Sequence, residues 1–130
     1  MTDSPRKTLA LARTAAGAVR SLNHATLGGD GLAQPADAYE LIGELALAAA
    51  GLPQLLAQIS RWLTAALAGG RLGCDDGTDP ADPVSGAALF ICDARASADA
   101  LARDLGCAQQ QLAAVHGSPS AEEEEEEGES

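Results

Sequence analysis

The feature that most restricts this chain is its shortage of strand-forming residues. Tyr39, Trp62 and Phe90 are its only aromatic side chains, alanine is heavily over-represented, and leucine supplies much of the remaining apolar bulk. Alanine gives up no side-chain entropy in a helix and leucine little, whereas strands favour β-branched and aromatic residues. The apolar share, 46%, is that of an ordinary globular protein, and 130 residues suit a single core. The expectation is helix packed on helix.

Spacing and punctuation divide the chain further. Ser4 suits an N-cap and Pro5 a first helical position. A first helix over 6–27 follows, with Leu9, Ala12, Ala16, Val19 and Thr26 on three- and four-residue steps. Leu11, Ala15, Ala18 and Leu22 form an adjacent track, and Gly28, Gly29, Asp30 and Gly31 end the helix, glycine supplying a left-handed cap. A second helix over 34–50 opens with Pro35 and carries Asp37, Glu40 and Glu44 towards the positive end of its dipole. Its buried stripe is Leu41, Ile42, Leu45 and Ala48 or Ala49. Gly51-Leu52-Pro53 reads as a break, either joining antiparallel neighbours or kinking one long helix. The third helix, 53–69, carries Leu55, Leu56, Ile59, Leu63, Ala66 and Leu67.

A polar loop rich in Gly, Asp and Pro covers 69–83, and the fourth and longest helix covers 82–115. Phe90, Ala94, Ala98 or Ser97, Leu101, Leu105, Ala108, Leu112 and Val115 give it a stripe close to a coiled-coil seam. Six consecutive glutamates then precede a last Gly-Glu-Ser, a density of like charge with nothing apolar to bury. The predicted fold is an antiparallel four-helix bundle over 1–117, its fourth helix long, with a disordered acidic tail over 118–130.

The net charge of −11 is concentrated in that tail. Seven glutamates lie beyond Ser120, leaving −4 on the rest, eight basic against twelve acidic residues. So weakly acidic a body has no general attraction for nucleic acid. No 18-residue window is uninterruptedly apolar, as a membrane span would require, and the polar start interrupted by Arg13 and Arg20 does not read as a secretory signal. Cys74, Cys92 and Cys107, odd in number and widely spaced, agree with a reducing compartment, so the expected location is cytoplasmic. Abundant alanine, with arginine in place of lysine, points to a high-GC bacterial genome.

Catalytic and metal chemistry lack their usual signatures. The three cysteines with His24 and His116 contain no closely spaced pair of zinc ligands, and Glu40 and Glu44 have no accompanying histidine for a di-metal bundle. Cys92 and Cys107 are expected to be small apolar fillers of an alanine-rich core. Cys74-Asp75-Asp76-Gly77-Thr78-Asp79 lacks the alternating ligands of a calcium loop and reads as a turn that caps the next helix. Cys107 has no activating neighbour in sequence, and no serine sits in a nucleophile elbow. The expectation is no enzyme, no metal and no cofactor.

What remains are surfaces. Arg6, Arg13 and Arg20 recur every seven residues with Lys7 beside them, and Asp82, Asp93 and Asp104 recur every eleven. These rows flank a helix interface or face water, or else the basic one docks an acidic partner. Trp62, beside Ile59 and Leu63, is either a half-buried core residue or an anchor for a partner. The acidic tail solubilises, or engages a basic surface on a partner or on the Arg6/Arg13/Arg20 row. The expected function is a protein–protein interaction or regulatory module, with an unidentified protein partner or a homodimer through the fourth helix. The alternatives are a small-molecule binder using an inter-helix cavity near Asn23, His24 and Tyr39, or weak nucleic-acid association through the first helix.

Overall fold

The computed structural model describes residues 3–118, and the acidic tail beyond Ser118 lies outside them. The described residues are helical and contain no strand: α1 is Asp3–Leu27, α2 is Pro35–Ala68 and α3 is Ala81–Leu112. Three helices therefore replace the expected four. Tyr39–Val115 forms one compact unit, and the described residues 3–38 with 116–118 form another.

The expected second and third helices are one. α2 runs 34 residues, about 50 Å, straight through Pro53. A proline inside a helix removes one backbone hydrogen bond and crowds the preceding turn. Continuity is favoured because a seven-residue pattern holds its phase across that point. Ile42, Ala49, Leu56 and Leu63 form one row, and Ala46, Pro53, Ser60 and Leu67 its companion; all eight are buried or half-buried. Breaking the helix at Pro53 would throw the two halves of this seam out of register.

Opposite it, α3 presents Val84, Ala88, Ile91, Ala98, Ala102, Leu105, Gln109 and Leu112, again alternating four- and three-residue steps and again withdrawn from solvent. The pair is an antiparallel hairpin. The Gln109 side-chain amide, near the end of α3, donates to the Tyr39 carbonyl at 3.3 Å near the start of α2. Gly43, one turn on, leaves space that the Gln109 side chain fills. Alanine lets the helices approach closely, and the three buried side chains among the described residues, Ala49, Ala66 and Ala98, are all alanines.

The α3 stripe read from sequence holds at Ala98, Leu105 and Leu112. Phe90, 78% exposed, with Leu101 and Val115, lies at the surface instead. Helix geometry explains the error: the seam runs one residue further along, and small side chains were assigned it rather than large ones. Cys92 and Cys107 fall off the same seam and are exposed, so they do not fill the core. α1 buries none of its residues, and its expected stripe through Leu9 and Val19 stays at the surface.

The helix ends follow local chemistry. α2 opens with Pro35, and the Asp37 carboxylate reaches back to accept from the Ala33 and Gln34 amides, both 3.0 Å, as in a capping box. At its other end Gly70, at φ +69°, allows the Arg71 amide to reach the Ala66 carbonyl and the Gly70 amide the Leu67 carbonyl, a Schellman cap. Glycines 28, 29 and 31 do not take up the left-handed conformation expected of them. Gly31 is needed for close approach, since a Cβ there would collide with the Ala25 carbonyl.

Candidate functional site

Helix geometry assigns the hairpin two different faces. On α2, the residues immediately before each seam position are Leu41, Leu45, Ala48, Leu52, Leu55, Ile59, Trp62 and Ala66, a second seven-residue pattern with no polar member. On α3 the corresponding track carries Ala87, Phe90, Ala94, Leu101 and Ala108, interrupted by Ser97, Asp104 and Gln111. Because the helices are antiparallel, a displacement towards the N-terminus turns both tracks to the same side. The result is one face, apolar along α2 and extended on α3 by Phe90 and Leu101. Leu45, Leu52, Leu55, Ile59, Trp62, Phe90 and Leu101 are all exposed on it.

Such a face is larger than the isolated apolar residues that soluble surfaces normally carry. Trp62 is its largest side chain and is 58% exposed, so it belongs to neither seam residue set that closes the hairpin. Its ring lies under the Arg71 guanidinium, 5.9 Å from the centroid. The Schellman cap that turns the chain after α2 places Arg71 there, and a cation over an indole face is attracted by the ring quadrupole.

The other side of the hairpin is more polar. Gln54, Arg61 and Thr64 on α2 and Asp99, Arg103 and Gln110 on α3 lie there, with Leu47 and Leu89 as exposed exceptions. Arg61, Ser60, Thr64 and Arg95 line an open groove with alanines of α2 as its floor. Arg95 occupies a seam position yet is exposed, its long chain carrying the charge out of the interface.

The other sequence-level candidates are placed as follows. Arg6, Lys7, Arg13 and Arg20 all sit exposed on α1, in a different unit from Trp62. Asn23 and His24 lie on α1 and Tyr39 in the hairpin unit, so they are not gathered into one pocket within either unit. The acidic loop is a turn: Asp76 accepts from the Thr78 amide at 3.0 Å and from its hydroxyl at 2.6 Å, Gly77 takes φ +78°, and Asp79 accepts from the Ala81 amide. The Thr78 contacts hold the Asp76 carboxyl below its ordinary pKa, and the Gln34 and Ala33 amides do the same for Asp37. Among the described residues, no group of three or more His, Cys, Asp or Glu side chains is placed to hold a metal ion.

α2 also departs from the expectation that nothing in the chain resembles a membrane span. By length and composition it is apolar enough to cross one, although isolated polar residues such as Glu44 and Gln58 interrupt it. No protein-family model, curated protein or solved structure matches the chain.

The apolar face was legible in part. Periodicity assigns Leu45, Leu55, Ile59, Phe90 and Leu101 to the core because it locates an apolar track without saying which neighbour covers it. The signal that separates the two tracks is the strict seven-residue repeat of each.

Proposed function

We propose that the chain is a non-catalytic protein–protein interaction module whose working surface is the apolar face of the α2–α3 hairpin. The observation that carries this reading is the exposure of Leu52, Leu55, Ile59, Trp62 and Phe90 on one side of a hairpin already closed by a separate seam. A packed helical hairpin needs no such face for its own closure, and an apolar helical track is a common way to dock another helix. Three free cysteines support a cytoplasmic setting. α3 seated along α2, and the polar Glu44 and Gln58 that interrupt α2, favour a protein partner over lipid.

Photocrosslinking in living cells tests the reading. A benzophenone amino acid at Ile59 is expected to trap protein, while one at Arg103 on the opposite side traps none. Lipid adducts alone at Ile59, or equal trapping at both positions, would refute it.

A further inference from the structure

We infer that the partner seated on this face is a second copy of the chain, the two hairpins stacking face to face about a twofold axis into an intermolecular four-helix bundle. The inference rests on the interaction reading above and names its partner.

The α2 track is self-complementary when run against itself. With two copies of α2 antiparallel and centred between Pro53 and Gln54, Leu52 meets Leu55 of the second copy, Ala48 meets Ile59, and Leu45 meets Trp62. Every exposed member of the track finds a partner, and in two of the three layers a smaller side chain faces a larger one. A twofold interface demands this self-pairing. Charge agrees with it. The acidic residues of α2, Asp37, Glu40 and Glu44, all lie in its first third, while the Arg71 that lies over Trp62 follows its far end. Antiparallel stacking sets each acidic end against the basic end of the other copy. A parallel arrangement would superpose like charges.

Area and architecture point the same way. Leu45, Leu52, Leu55, Ile59 and Trp62, with Phe90 and Leu101 alongside, withdraw on the order of 1,000 Å² from solvent across two copies, enough for a specific interface. Among the described residues only three alanines are buried and the larger seam side chains are half-buried, so the hairpin has a small core of its own, and small scaffolds of this kind commonly gain one by oligomerising.

Sedimentation equilibrium on the full chain is the test, with Leu55→Glu and Leu47→Glu as variants. Leu47 is equally a leucine, 69% exposed, but on the other side of α2. The expected result is a wild-type dimer, a monomeric Leu55→Glu chain that keeps its helical circular dichroism, and a dimeric Leu47→Glu chain. Trp62, the only tryptophan, should shift its emission to the red as the wild-type dimer dissociates on dilution. Nitroxides at Glu44 and at Gln58, with the cysteines replaced by serine, give the orientation. Antiparallel α2 pairing separates the Glu44 labels by about 15 Å more than the Gln58 labels along the helix axis. Equal separations would overturn that pairing. A wild-type monomer throughout the micromolar range overturns the proposal, as does Leu55-dependent flotation with phosphatidylcholine vesicles in place of dimerisation. If the wild type is monomeric while Ile59 still traps a different protein in cells, the second copy is wrong and the interaction reading stands.

Discussion

The sharpest test of the fold concerns Gly51 and Pro53. If α2 is interrupted there, Gly51 serves as a C-terminal cap and Pro53 as the first residue of a new helix, so replacing either by alanine removes a favourable feature. In the continuous α2 both residues sit in a helix interior, where each is worse than alanine. Glycine there costs about 0.5–1 kcal/mol and proline about 3 kcal/mol. Gly51 has no positive φ, and a Cβ built on it meets nothing within 4 Å, so Gly51→Ala should deliver its full gain. Pro53 is half-buried in the seam, and losing part of its ring packing offsets roughly 0.5–1 kcal/mol. Losing its stiffening of the unfolded chain offsets about as much again.

The net expectation for Gly51→Ala/Pro53→Ala is a gain of about 2–3 kcal/mol. For a unit of this size that raises the melting temperature by roughly 10–20 °C. Thermal and urea melts followed by helical circular dichroism measure it. The variant also acquires an amide at position 53 facing the Ala49 carbonyl four residues back, and hydrogen exchange should find that amide protected. A double variant that melts at or below the wild-type temperature, with residue 53 exchanging freely, would refute the continuous helix.

Three further outcomes follow from named contacts. Ala98→Leu, at a seam position only 6% exposed, should cost about 1–3 kcal/mol by overpacking, while Ala96→Leu outside the seam should leave the melt almost unchanged. Arg71→Ala should alter Trp62 emission and cost about 0.5–1 kcal/mol in urea melts; an unchanged spectrum would mean the guanidinium does not lie over the indole in solution. The Asp37 and Asp76 carboxyls have folded pKa values below 3.8, so their stabilising contribution is complete above that value and is lost as pH falls through the lowered one. Melts between pH 6 and pH 2.5 should therefore show a smaller acid-induced loss for Asp37→Asn than for the wild type.

The helices themselves were plain in the sequence, because alanine and leucine propensities, Pro35, and the glycine–aspartate loop act locally. The failures share one cause. Gly51-Leu52-Pro53 has the local form of a break, and only the phase of Ile42, Ala49, Leu56 and Leu63 on either side argues against it. Phe90 and Leu101 were assigned to the α3 core because large apolar side chains usually are, yet Val84, Ala88, Ile91 and Ala102 hold the seam. In each case tertiary pairing, which spans many turns, outweighs a preference written over three residues. The same ambiguity affected Trp62: periodicity puts it beside Ile59 and Leu63, but those two neighbours belong to different tracks. The basic row Arg6, Arg13 and Arg20 lies exposed on one helix, α1, as its seven-residue spacing predicts.

The division of side chains between the two tracks of α2 carries the functional argument further than either track alone. The α2 seam that closes the hairpin combines Ile42, Leu56, Leu63 and Leu67 with Ala46, Ala49, Pro53 and Ser60, while the outward track holds Leu45, Leu52, Leu55, Ile59 and Trp62. An ordinary monomer places its bulkiest apolar groups inside, because their burial contributes most of the hydrophobic stabilisation. Here large apolar groups are divided between the seam and the outward track, and the largest of them, Trp62, faces outward. Under the proposed dimer, the seam holds the register within the chain and the outward track is buried against the second copy. Substitutions of the two tracks should separate accordingly: those in the seam lower helicity and melting together, and those on the outer track leave the hairpin folded while abolishing association.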